Sequence, residues 1–210
     1  MFGFEGDNAR EKVIVLLTMC FALAMAMLDN TVVNVALPTI SDKLGAGVSG
    51  LQWIVDGYVL AFASLLLTGA ILGDRYGRKR IFLSGLAVFT LASLGCGLSQ
   101  GTGQLIAFRA IQGIGAALLM HGTLSIITVT FPPQERARAI GLWAGMSGLA
   151  LALGPTVGGL MVEHLGWQSV FFLNVPIGII GMITGLRTIH ETRSVQARRL
   201  GKIFSGFSRP

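Results

Sequence analysis

Residues 69–83 read GAILGDRYGRKRIFL. This stretch gathers Asp74, Arg75, Arg78, Lys79 and Arg80 into a tight turn between two long apolar runs. A soluble core has no use for that layout. A membrane does: two helices end at one face, and charges that cannot follow them into lipid pin the turn there. The stretch therefore predicts an all-α, polytopic membrane protein.

The rest of the chain agrees. Hydrophobic residues make up 52% of it and charged residues 12%, with a mean hydropathy of +0.70, whereas a soluble domain carries about a quarter charged residues. Cys20 and Cys96 both lie in apolar runs, with no CxxC or Cys/His cluster near them. Neither a disulfide framework, a metal site nor a cofactor is expected. The net charge of +6 could suggest nucleic acid, but the cations sit in short turns beside apolar spans, where they control topology instead. No HExxH or GxSxG is present, and no enzyme is expected.

About 20 apolar residues cross the hydrocarbon layer as a helix. Six segments qualify: 13–36, 51–73, 81–98, 104–129, 138–162 and 169–187. They define a six-helix transmembrane bundle over 13–187, between an N-terminal stretch 1–12 and a basic tail 188–210. The first segment is too long for a cleaved signal peptide, is polar at Asp29-Asn30, and ends in no A-x-A-like site. All lysines and arginines except Lys43 and Arg109 fall in or at the edge of the N-terminal stretch, the second-to-third turn, the fourth-to-fifth turn or the tail. By the positive-inside rule both termini are cytoplasmic, in a multi-pass protein of the cell membrane.

The first span ends LDNTVVNVALPTI, residues 28–40. An ionisable Asp29 in apolar surroundings costs about 2.5–3.5 kcal/mol on insertion scales, which makes it a functional candidate. Pro38 is expected to close the helix. The fourth span carries FRAIQGIGAALL, residues 108–119, with Arg109, Gln112 and Gly113 on one face. Gly113 and Ala117 form a small-xxx-small pair that admits a close neighbour. Arg109, Asp29 and Asp56 (in QWIVDGYVL) all fall in the outer third of a ~30 Å layer at 1.5 Å per residue. A buried arginine without an anion is expensive, so Arg109 is expected beside Asp29 or Asp56, and protonating that acid would release the pair. Asp56 could equally belong, with Trp53 and Tyr58, to an interfacial belt. His121 is expected to be a polar residue satisfied inside the bundle. The fifth span carries GLALALGPTVGG, residues 148–159. Gly141, Gly145, Gly148, Ala152, Pro155 and Gly159 recur three and four apart and keep one face free of bulk, ready for a partner helix.

These motifs resemble the major facilitator superfamily. Its loop signature between the second and third helices is G-x-L-x-D-R-x-G-R-K/R. Leu72, Asp74, Arg75, Gly77, Arg78 and Lys79 stand in that register, with Gly69 and Gly73 beside them. R-x-x-Q-G-x-G-A-A resembles the fourth-helix motif, whose arginine the family links to proton coupling; it departs at His121, where proline is common. The LDNTVVNVALP run and G-P-x-x-G-G, here Gly154, Pro155, Gly158 and Gly159 after Gly148, resemble the drug:proton antiporter branch with fourteen helices. The resemblance implies the N-terminal half of that fold. It implies proton-coupled multidrug efflux of hydrophobic or cationic small molecules, with lipid and protons as partners. Asp29, Arg109 and Asp56 would then couple protons, residues 69–79 would gate, and Gly148 to Gly159 would form a hinge. The second half of the family is not in these 210 residues, so a truncated or half-length chain, or a homodimer, is expected; a non-transporting membrane remnant or interaction subunit is the alternative.

Overall fold

The computed structural model describes residues 9–192, and the sequence-based expectations for the basic tail beyond them lie outside the described residues. The described chain is helical with short turns. The helices are α1 (Ala9–Leu44), α2 (Val48–Tyr76), α3 (Arg78–Gly97), α4 (Thr102–Thr130), α5 (Pro133–Leu165), α6 (Ser169–Phe172) and α7 (Asn174–Thr188). The last two form one span with a break at Leu173, so six spans are long and apolar enough to cross a membrane. Pro176 explains the break, because it has no N–H to donate to the carbonyl four residues back.

The helices outrun the apolar segments from which the sequence predicts them. The 36 residues of α1 make a rod of about 54 Å. Polar residues beyond the lipid layer still propagate a helix once its apolar middle is packed. Pro38 does not close α1, which runs on to Leu44. Ala36 and Ile40, both fully buried, hold that segment against the bundle. Exposed Asn34, whose carbonyl Pro38 leaves without its helical donor, faces outward. The helix ends instead at Gly45, in the left-handed region with φ +62. Pro155 likewise sits inside a continuous α5.

Packing follows the small residues. α4 is wedged between α2 and α3, while α1 lies along α5 and more lightly along α7 and α4. A Cβ on Gly113 would strike the Tyr58 carbonyl of α2; one on Gly115 would strike the Phe89 backbone of α3, and one on Gly122 would meet Phe82. Between α5 and α1, Gly154 and Gly158 meet Thr31 and Val32. Without a hydrophobic force between helices in lipid, such close approach supplies the association. The buried apolar side chains form two clusters, one from Val15 to Phe131 at the end carrying the basic turns and one from Val32 to Trp167 at the far end. They meet at the level of Asp29.

Candidate functional site

Asp29 and Arg109 meet inside the bundle. Arg109 Nη1 donates to Asp29 Oδ2 at 2.6 Å, and both side chains are at most 1% exposed. Each buried charge thus finds the partner without which it would be strongly destabilising. The same nitrogen donates to Gln112 Oε1 at 2.7 Å, and Arg109 Nε donates to the Ile54 carbonyl at 3.2 Å. The guanidinium carbon lies 4.1 Å from the centroid of the Tyr58 ring, a cation–π contact in a dry site. Gln112 Nε2 and Asn174 Nδ2 donate to the other carboxylate oxygen, Asp29 Oδ1, at 2.9 and 2.8 Å. Both amides also donate to Ser93 Oγ, at 2.6 and 3.1 Å. The network thus draws on α1, α2, α3, α4 and α7, and every member is buried.

The sequence-predicted residues are distributed as follows. Asp29, Arg109 and Gln112 come together. Asp56 does not: it is exposed on α2, and of the two acids expected beside Arg109 the partner is Asp29. Depth along a helix fixes a level but not a direction around the axis. Gly113 is the contact with α2 already described. Ser93 and Asn174 escaped the sequence reading, and Tyr58, grouped there with an interfacial belt, is instead buried under Arg109. His121 is not satisfied as expected: its Nδ1 is buried without a hydrogen-bond partner, beside a cavity of about 320 Å³ that Leu66, Leu124 and Trp143 also line.

The loop signature is held at the basic end. Gly77 turns the chain with φ +116, a conformation that favours glycine. Asp74 pairs with Arg78 at 3.0 Å. The chain leaving α7 then folds back on the turn: Arg78 N–H donates to the Thr192 carbonyl at 3.0 Å, Lys79 N–H to Glu191 Oε1 at 3.2 Å, and Arg80 pairs with Glu191 at 3.6 Å. Lys79 Nζ reaches the Leu186 carbonyl at 2.8 Å. Arg75 lies over Tyr76. Gly73 has open space around it, and Gly69 serves packing, its Cβ position 3.1 Å from the Ala117 carbonyl of α4.

On α5 the G-P-x-x-G-G motif is split between two faces. Gly154 and Gly158 are buried against α1, while Pro155 is exposed and Gly159 has nothing within 4 Å. Gly141, Gly145 and Gly148 likewise look onto open space.

A family model described as the Major Facilitator Superfamily matches residues 19–208. The chain belongs to that superfamily. It is 46% identical to a methylenomycin A resistance protein of Bacillus subtilis (strain 168) over 93% of this chain and 42% of that one. It is 41% identical to a tetracenomycin C resistance and export protein of Streptomyces glaucescens, over 87% of this chain and 34% of the relative. The chain thus spans less than half the length of these relatives. Its fold matches that of a peptide transporter POT crystallised with sulfate, at a TM-score of 0.73, 18% identity, and 83% of this chain against 37% of that one. Members of the superfamily are membrane transporters and not enzymes, and this chain shares their helical architecture.

Proposed function

We propose that this chain is the N-terminal half of a proton-driven exporter of hydrophobic or cationic small molecules in the cell membrane, with both termini in the cytoplasm. The observation that carries the reading is the buried Asp29–Arg109 pair. An ionisable residue inside a membrane bundle is costly, and it persists where an ion or proton pathway uses it. Asp29 is the proton site in this reading. As an anion it holds Arg109, Gln112 and Asn174 and so ties α1 to α4 and α7. A proton on it cancels the charge that Arg109 balances and loosens α1 from α4. Export fits the resistance and export names of the relatives. The loop held by Gly77, Asp74 and Glu191 gates at the basic end, and the open face of α5 receives a second six-helix unit.

The test joins this chain to the part of the Bacillus subtilis relative that it does not match and follows dye uptake into everted vesicles, the direction that cellular efflux takes there. Efflux driven by a proton gradient is expected from the chimera and lost in Asp29→Asn, with the protein still in the membrane. Proton-driven efflux that survives Asp29→Asn overturns the role of Asp29.

A further inference from the structure

Asn174 stands at the first position of α7, directly after the break at Leu173. Its side chain is 1% exposed. Nδ2 donates to Asp29 Oδ1 at 2.8 Å and to Ser93 Oγ at 3.1 Å. Its Oδ1 is buried with no hydrogen-bond partner. The orientation of the amide follows from chemistry: an ionised carboxylate only accepts, so the edge of Asn174 facing Asp29 must be the nitrogen. The amide therefore sits with one donor spent on Asp29, the other on Ser93, and its acceptor spare.

A buried acceptor with no donor is uncommon and calls for an explanation. The explanation lies in what happens when Asp29 is protonated. Of its two oxygens, Oδ2 faces the Arg109 guanidinium, a pure donor, and Oδ1 faces the Gln112 and Asn174 nitrogens. A proton on Oδ1 needs an acceptor where Asn174 now offers a donor. Half a turn of the amide exchanges its two ends and brings Oδ1 to that point. Gln112 is less suited, because its own Oε1 already accepts from Arg109.

Resting on the proton-site reading of Asp29, we propose that Asn174 is a positioning residue that holds the Asp29 anion through Nδ2 and turns to accept the carboxyl proton through Oδ1. The proton comes from water and stays on Asp29; no bond of Asn174 is made or broken covalently. Through Asn174 the charge of Asp29 is read at the break between α6 and α7 as well as by Arg109.

The purified full chain tests this without transport. Dicyclohexylcarbodiimide enters apolar sites and reacts with a carboxyl only in its protonated form, so the labelled fraction of Asp29, followed by mass spectrometry against pH, reports the proton. Labelling that falls as pH rises is expected. Asn174→Leu removes a hydrogen bond to the charged form and should move the fall upward by about one pH unit, a tenfold rise in labelling on the slope. Asn174→Asp, nearly the same shape, should move it at least as far, since a second carboxylate repels the first; it keeps the test decisive if the leucine variant does not fold. Asn174→Ser, with a hydroxyl that both donates and accepts, should move it less. An unmoved fall in both the leucine and aspartate variants, or a change confined to the amount labelled at acid pH, overturns the proposal for Asn174 and leaves only packing. If Asp29 in the unaltered chain shows no pH-dependent labelling, the proton-site reading fails instead.

Discussion

Gly154 and Pro155 are neighbours in sequence and belong to different surfaces of α5, one packed and one exposed. The glycine is closed against Thr31 of α1, and the proline is exposed with the open row of Gly148 and Gly159. The two surfaces should respond differently to bulk. Gly148→Leu with Gly159→Leu meets open space, so the bundle should keep its thermal stability but fail to bind another six-helix unit through that face. Gly154→Leu should lower the melting temperature or prevent folding, since α1 cannot give way. Size-exclusion chromatography and thermal unfolding in detergent separate the two. Self-association unchanged by the double substitution would refute the docking role of the open face.

Ser93 accepts two hydrogen bonds inside the network. Ser93→Ala leaves the Gln112 and Asn174 amides each short of one acceptor. A loss of about 1–3 kcal/mol follows, visible as a lower unfolding temperature, with helix content unchanged by circular dichroism.

Orientation can be read with thiol reagents, because Cys20 and Cys96 are both buried and free. Cysteines introduced at Asp42 and His164, on the far ends of α1 and α5, should react with an impermeant maleimide in intact cells. One at Tyr76 should react only after the membrane is opened. Labelling of Tyr76→Cys from outside would reverse the proposed topology.

Gly77 is squeezed twice, by its φ of +116 and by the Glu191 carboxylate lying where a Cβ would stand. Gly77→Ala should cost about 1–3 kcal/mol from backbone strain alone, and more from the contact. Adding Glu191→Ala should recover the contact share and not the strain. Equal unfolding temperatures for the single Gly77→Ala and the double variant would show that Glu191 does not press on the turn.

Much of this was legible because charges in apolar sequence are conspicuous. Asp29, Arg109 and the turn at 74–80 stand out against Leu, Ala and Val, and their cost in lipid forces an explanation. Asp56 misled because counting residues gives depth and not the direction around the helix. Ser93 and Asn174 were silent for another reason: neutral polar residues are cheap in a membrane helix, and their patterns carry no sign of which neighbour they face. The reach of α1 through Pro38 was hidden too, since only the packing of Ala36 and Ile40 decides whether the helix survives the lost bond.

The glycines also determine which parts can move. Backbone contact leaves α4 no slack against α2 and α3, and α5 closes on α1 against Thr31 and Val32. Two stiff blocks result, with lighter packing between α1 and α4. The bond from Asp29 to Arg109 is the clasp between those blocks. Cancelling the charge of Asp29 would soften neither block; it would unfasten one from the other, and α1 with α5 would be free to slide as a single slab past α2, α3 and α4, with α7 packed between α1 and α3.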